Sequence, residues 1–187
     1  MRRTDEPQLH DRDTEPGMAT MRNRVLLWLL CVCSAFWAAC PTASAQPSTP
    51  ATDSASIAAI LADLDRAWHG ADAGRWVSHY APDAQFINIA GMVMPDTGAL
   101  RSRLHQIFNG VFRGSRHVGT LRHLRFVGVD VAVVDEDIEI TGFSALPAGT
   151  RPTAPGLLRT RMRHVLQRVD GRWRIVASQN TPVAPER

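Results

Sequence analysis

Period-2 alternation in the C-terminal half brings a small set of polar side chains to one face. In residues 157–169, Thr160, Met162, His164 and Leu166 share a parity, opposite Arg159, Arg161 and Arg163. In residues 131–141, Glu136 falls among Val134, Ile138 and Ile140. Arg122 shares the parity of Leu124 and Phe126, and Gln179 continues that of Trp173, Ile175 and Ala177. Asn88 lies on the same side as Phe86. The pattern predicts a mostly apolar cavity with a few polar groups, the usual make-up of a small-molecule site. A carboxylate such as Glu136, desolvated there, is a candidate acid or base near neutral pH, and His164 could share that role.

Each candidate has a plainer alternative. Glu136 lies within Asp135-Glu136-Asp137, and one bulge would turn it to solvent. His164 could be a hydrogen-bonded core histidine. Asn88 could cap a turn at Gly91, and Arg122 could pair with a surface acid. His105 sits at the border of its helix's apolar stripe, within reach of a pocket rim.

The elements that must position these groups are readable. Ile57, Ile60, Leu61, Leu64 and Trp68 describe an amphipathic helix capped at Asp53 or Ser54 and ending near Gly70. Asp72 caps a second, short helix that Ala81-Pro82 stops. Residues 83–89 read as a strand and Gly91 as a tight turn. Asp96 or Thr97 starts a third helix with Leu100, Leu104, Ile107, Phe108 and Val111 on one face. Four strands follow, at 121–127, 131–141, 157–169 and 172–179, the last two joined by an Asp170-Gly171 hairpin turn. Three helices and then mostly antiparallel strands make an α+β class, with helices on one face of the sheet.

The N-terminal part reads differently. Residues 1–20 are polar and suggest a mis-assigned start or an extension. Residues 21–45 combine a short basic segment, an apolar run and Ala43-Ser44-Ala45, the pattern of a cleaved signal peptide. Residues 46–55 read as a flexible linker, 56–182 as the domain and 183–187 as a tail. The expectation is a secreted or periplasmic protein that touches a membrane only through an uncleaved signal segment. All three cysteines (Cys31, Cys33, Cys40) lie in or beside the apolar run. The domain itself therefore has no disulfide framework, thiolate nucleophile or cysteine metal site.

The net charge is only +3, and the positive side chains, all arginine, are scattered. Nucleic-acid binding calls for a basic stripe with interleaved aromatics, so that class is disfavoured. The sequence lacks a P-loop, G-x-G-x-x-G and G-x-S-x-G, and His117-x5-His123 is too loose for a metal pair. Neither cofactor nor metal is expected. Val131, Val133, Val165 and Val169 fall on outer strand faces, an apolar patch that predicts a homodimer.

This order of elements resembles the nuclear-transport-factor-2-like superfamily, which includes the SnoaL-like proteins, and most of all its SgcJ/EcaC-type bacterial members. The likeness is carried by Ala67-Trp68 with Asp72-Ala73, Pro82-Asp83-Ala84 with Phe86, Asn88 and Gly91, and Gly98 with His105. It continues through Phe112-Arg113-Gly114-Ser115-Arg116 and Gly171-Arg172-Trp173-Arg174-Ile175 with Gln179-Asn180-Thr181-Pro182. The resemblance implies a cone-shaped, cystatin-like fold, a curved sheet wrapped around a long helix with an open ligand-holding end. It also favours His105, Asn88 and Gln179. Taken with the alternation, the catalytic candidates are His164, Glu136 and His105, and the ligand-binding candidates are Asn88, Arg122, Gln179 and Asn180. The aspartate base and oxyanion tyrosine of the family's ketosteroid isomerases have no match here, since Tyr80 is the only tyrosine. The expected function is binding of a small apolar molecule, with cofactor-free acid–base catalysis. The alternatives are a non-catalytic binding or dimerisation module and an oxidoreductase with a borrowed cofactor.

Overall fold

The computed structural model describes residues 49–184. The prefix, the signal peptide, the first residues of the linker and the last three of the tail lie outside the described residues.

Helix α1 spans Pro50–His69. Thr49 caps it by accepting the Thr52 N–H at 3.3 Å, and Pro50 takes the first turn, where its missing N–H costs nothing. Residues 50–55, expected in the linker, are therefore helical. Asp53 is not the cap. It is buried and accepts from Arg168 Nη2 at 2.6 Å and Trp173 Nε1 at 3.0 Å, fastening the helix start to the far hairpin. Ile57, Leu61, Leu64 and Trp68 form the buried stripe, each fully buried aliphatic contributing about 2 kcal/mol. Helix α2 (Ala73–Val77) is capped by Asp72, and α3 (Thr97–Asn109) by Asp96.

The strands are β1 (Tyr80–Ile87), β2 (Val93–Met94), β3 (Arg116–Phe126), β4 (Val131–Thr141), β5 (Leu157–Val169) and β6 (Arg172–Pro182). They form one sheet in the order β2-β1-β6-β5-β4-β3, antiparallel except for the parallel pair β1–β6. Asp170 and Gly171 both have positive φ (49° and 73°), as the two-residue hairpin turn requires. The helices cover one face of the sheet. There Leu64, Trp68, Leu104 and Phe108 meet Ile138, Leu158, Met162 and Ile175 in a single core. The other face is wet. Arg159, Arg161 and Arg163 stand directly opposite Glu139, Asp137 and Asp135 and pair with them at 2.7–2.9 Å.

Two bulges decide which side chains face the helices. In β3, Leu121 pairs with Glu136 and His123 with Asp135, so Arg122 is an extra residue. In β6, Ile175 pairs with Leu166 and Ala177 with Val165, so Val176 is extra. Each bulge reverses the alternation beyond it.

Asp63 joins three elements. It accepts from Arg66 Nε in its own helix (2.9 Å), from Arg75 Nη2 in α2 (2.6 Å), and pairs with His79 Nε2 just before β1 (2.7 Å). The Arg75 hydrogen bond, with those of His79 and Arg66, holds its carboxyl well below the usual carboxylate range. A depressed native pKa adds stability that is present above the unfolded-state pKa and lost as pH falls through the native one. Asp63→Asn is therefore expected to cost about 1 kcal/mol near neutral pH, the size of a solvent-screened network. Its melting deficit should shrink on acidification. A deficit unchanged down to the acid limit of folding would contradict this account.

Candidate functional site

The described chain holds a cavity of about 70 Å³ between α1, α2 and α3 and the inner face of the sheet. Its walls include Trp68, Trp76, Phe86, Leu104, Phe112 and Met162. Its polar lining is Asn88, Arg103, His117 and Asn180.

His117 is the group with chemical capacity. It is the second residue of β3, is buried, and stacks on Trp68 with ring centroids 4.8 Å apart. Its Nδ1 lies 2.6 Å from Asp65 Oδ1. Asp65 also accepts the Gly119 N–H, at 3.1 and 3.2 Å to its two oxygens. A carboxylate held this way orients the ring with hydrogen on Nδ1, which leaves Nε2 as a proton acceptor on a cavity-lining side chain. Gly119 is necessary to the arrangement. A Cβ there would stand 2.8 Å from Glu136 Oε1 and 3.4 Å from Asp65 Oδ1.

The residues anticipated from sequence divide into three groups. Asn88 and Asn180 line the cavity. Asn88 also caps the turn at Gly91, its Oδ1 accepting from Ala90 and Met92 N–H at 2.9 Å. Asn180 faces inward because the Val176 bulge precedes it, and its Oδ1 is buried without a hydrogen bond.

Glu136 and His164 point inward and are buried, but they do not line the cavity. They form a closed, buried chain apart from its lining. His164 Nε2 lies 3.2 Å from Glu136 Oε2 and its Nδ1 lies 2.7 Å from Ser178 Oγ. Ser178 Oγ donates to Tyr80 Oη at 3.3 Å. Burial keeps the Tyr80 hydroxyl protonated far above the ordinary tyrosine range.

His105, Arg122 and Gln179 are corrections. His105 is exposed on α3 and lines no part of the cavity. Arg122 is turned outward by its own bulge and pairs with Asp137 at 3.0 Å. Gln179 is sent to the outer face by the bulge at Val176. Tyr80 opens β1 rather than ending a helix. His105→Ala and Arg122→Ala are each expected to change stability by no more than about 0.5 kcal/mol, as surface substitutions do, and to leave ligand binding at its wild-type value. Loss of binding in either variant would return that residue to the site.

Sequence reasoning missed Asp65 and His117. Strand β3 starts at Arg116, five residues before the apolar alternation begins at Leu121. Its first inward positions are His117 and Gly119, which carry no hydrophobic signal. The sign that could have found Asp65 was its place four residues after Leu61 and three before Trp68, a carboxylate on the buried stripe of α1.

Residues 57–185 match the family described as the SnoaL-like domain. No curated protein sequence matches significantly. Among solved structures, a Nostoc punctiforme domain of unknown function with a cystatin-like fold is 23% identical, with a TM-score of 0.61 over 73% of this chain and 80% of that one. A candidate scytalone dehydratase from Novosphingobium aromaticivorans is 14% identical (TM-score 0.59, 71% and 85% covered). A hexachlorocyclohexane dehydrochlorinase is 19% identical (TM-score 0.57, 70% and 88% covered). At these identities the likeness establishes the nuclear-transport-factor-2-like, cystatin-like α+β fold.

Proposed function

The chain belongs to the SnoaL-like family, and from that premise we propose that it is a cofactor-free acid–base catalyst acting on a small, largely apolar molecule. The observation that carries this reading is the Asp65–His117 pair, closed at 2.6 Å on the wall of an apolar cavity. His117 Nε2 accepts a proton from a carbon of the bound molecule, and Asp65 stabilises the imidazolium that results. The electron pair of the broken C–H bond forms a new C=C bond, and a leaving group on the neighbouring carbon departs with its own pair. Elimination is the favoured class because two structural neighbours are named a dehydratase and a dehydrochlorinase.

The motif around Phe112–Arg116 and Gly171–Ile175 supports kinship with SgcJ/EcaC-type proteins within the family. Residues 21–45 support export, with Gln46 as the mature N-terminus. The apolar row Val133, Val165 and Ala177 on the outer sheet face supports a homodimer, which a monomer in sedimentation equilibrium would contradict.

The test begins with mass spectrometry of molecules that co-purify with the protein. The molecule recovered is then incubated with enzyme in D₂O. Deuterium entering at carbon, or an alkene product, is the expected result. Bound molecule returned with no exchange and no product would leave a binding protein and remove the catalytic reading.

A further inference from the structure

We propose that the cavity takes a small organic carboxylate, with Arg103 as its anchor. This rests on the cavity being the ligand site and narrows the substrate to an anionic class. Arg103 lies three residues after Leu100 and four before Ile107, on the α3 face that both use to line the cavity. It is partly buried there. Its one hydrogen bond among the described residues is from Nη1 to Gln106 Oε1 at 3.2 Å. By contrast Arg75, Arg122, Arg161 and Arg163 each meet a carboxylate within 3.0 Å.

Among the described residues no carboxylate lines the cavity. Asp65 stands behind His117 and is occupied by that ring and by Gly119. A permanent cation thus faces an apolar space with no anion to answer it. Low-dielectric walls concentrate its field, and the space draws anions over neutral molecules of the same shape. The planar guanidinium fork matches a carboxylate better than it matches a single hydroxyl. Size also limits the class. About 70 Å³ is less than half of the roughly 150 Å³ cavity known to take benzene. The buried end of the ligand is therefore small, and the remainder extends towards the mouth.

Benzoate and benzamide provide the test, being nearly isosteric and differing in charge. Binding to the full-length protein is followed by the indole N–H resonances of Trp68 and Trp76, both in the cavity wall. Benzoate is expected to bind about tenfold more tightly than benzamide, a modest gain for a partly desolvated charge-assisted pair, and less so at high salt. Arg103→Met should erase that preference, and Arg103→Lys should restore part of it. Equal affinity for the two probes in the wild type, or a benzoate preference that survives Arg103→Met, overturns the anchor and leaves the Asp65–His117 reading intact. Failure of both probes to shift either indole overturns the anchor and the cavity as a ligand site together.

Discussion

His117→Gln is expected to lower turnover by about a thousandfold, within the range attributed to a positioned acid or base, while the protein remains folded. Glutamine can keep a hydrogen bond to Asp65 but has no nitrogen able to take a proton near neutral pH. Asp65→Asn should lower turnover by about a hundredfold or more through a different route. The introduced amide can still accept from Gly119 but presents NH₂ to His117 Nδ1. The ring proton is then driven to Nε2, and a donor faces the cavity where an acceptor is needed. The two losses should not add in the double variant, because the residues act as one unit. Steady-state kinetics and thermal melting on the same samples check this. A variant that melts normally and turns over at the wild-type rate would remove the pair from catalysis.

His164→Leu should cost about 3–5 kcal/mol of folding stability, the usual penalty for stranding one member of a buried ion-capable pair, with benzamide binding unchanged in the folded fraction. The donor order explains the size. Ser178 donates to Tyr80 and so accepts from His164 Nδ1–H. On its other side His164 Nε2 lies 3.2 Å from Glu136 Oε2. Removing the ring strands Glu136 in the core and takes away the partner of Ser178. Glu136→Leu combined with His164→Leu should be less damaging than the sum of the single changes, since neither charge is then left alone. Chemical denaturation of the four-member cycle measures this. Near-zero cost for the single variant would show that the chain is not closed as described.

Much of the architecture was legible because local chemistry and global fold agree there. The α1 stripe, the Asp72 and Asp96 caps and the Asp170-Gly171 turn each follow from residue type and spacing. The face assignments held on β4 and β5, which pair without interruption from Val131↔Gln167 to Thr141↔Leu157. They failed on β3 at the bulged Arg122 alone, while Leu124 and Phe126 beyond it face the core as expected, and on β6 beyond Val176; neither bulge has a glycine or proline to betray it. The candidate site was harder to see for a related reason. Where β3 meets the cavity, its inward positions carry a histidine and a glycine in place of an apolar alternation, and local rules are expected to break at such sites.

The parallel pairing of β1 with β6 has a consequence for how the molecule is made. Phe86 in β1 and Asn180 in β6 both line the cavity, and Phe86 lies beside Ser178 in the register. Nearly a hundred residues (from 80 to 175, the first pair in the register) separate the two edges of that seam. During synthesis the helices and the β3–β4 hairpin can pair locally as they emerge, but β1 has no central neighbour until the last strand arrives. Asp53 at the start of α1 likewise waits for Arg168 and Trp173. The wall of the cavity is thus completed by the final strand. Chains that stop before about residue 180 should carry an open β1 edge and engage chaperones or proteases, not accumulate as a smaller folded domain.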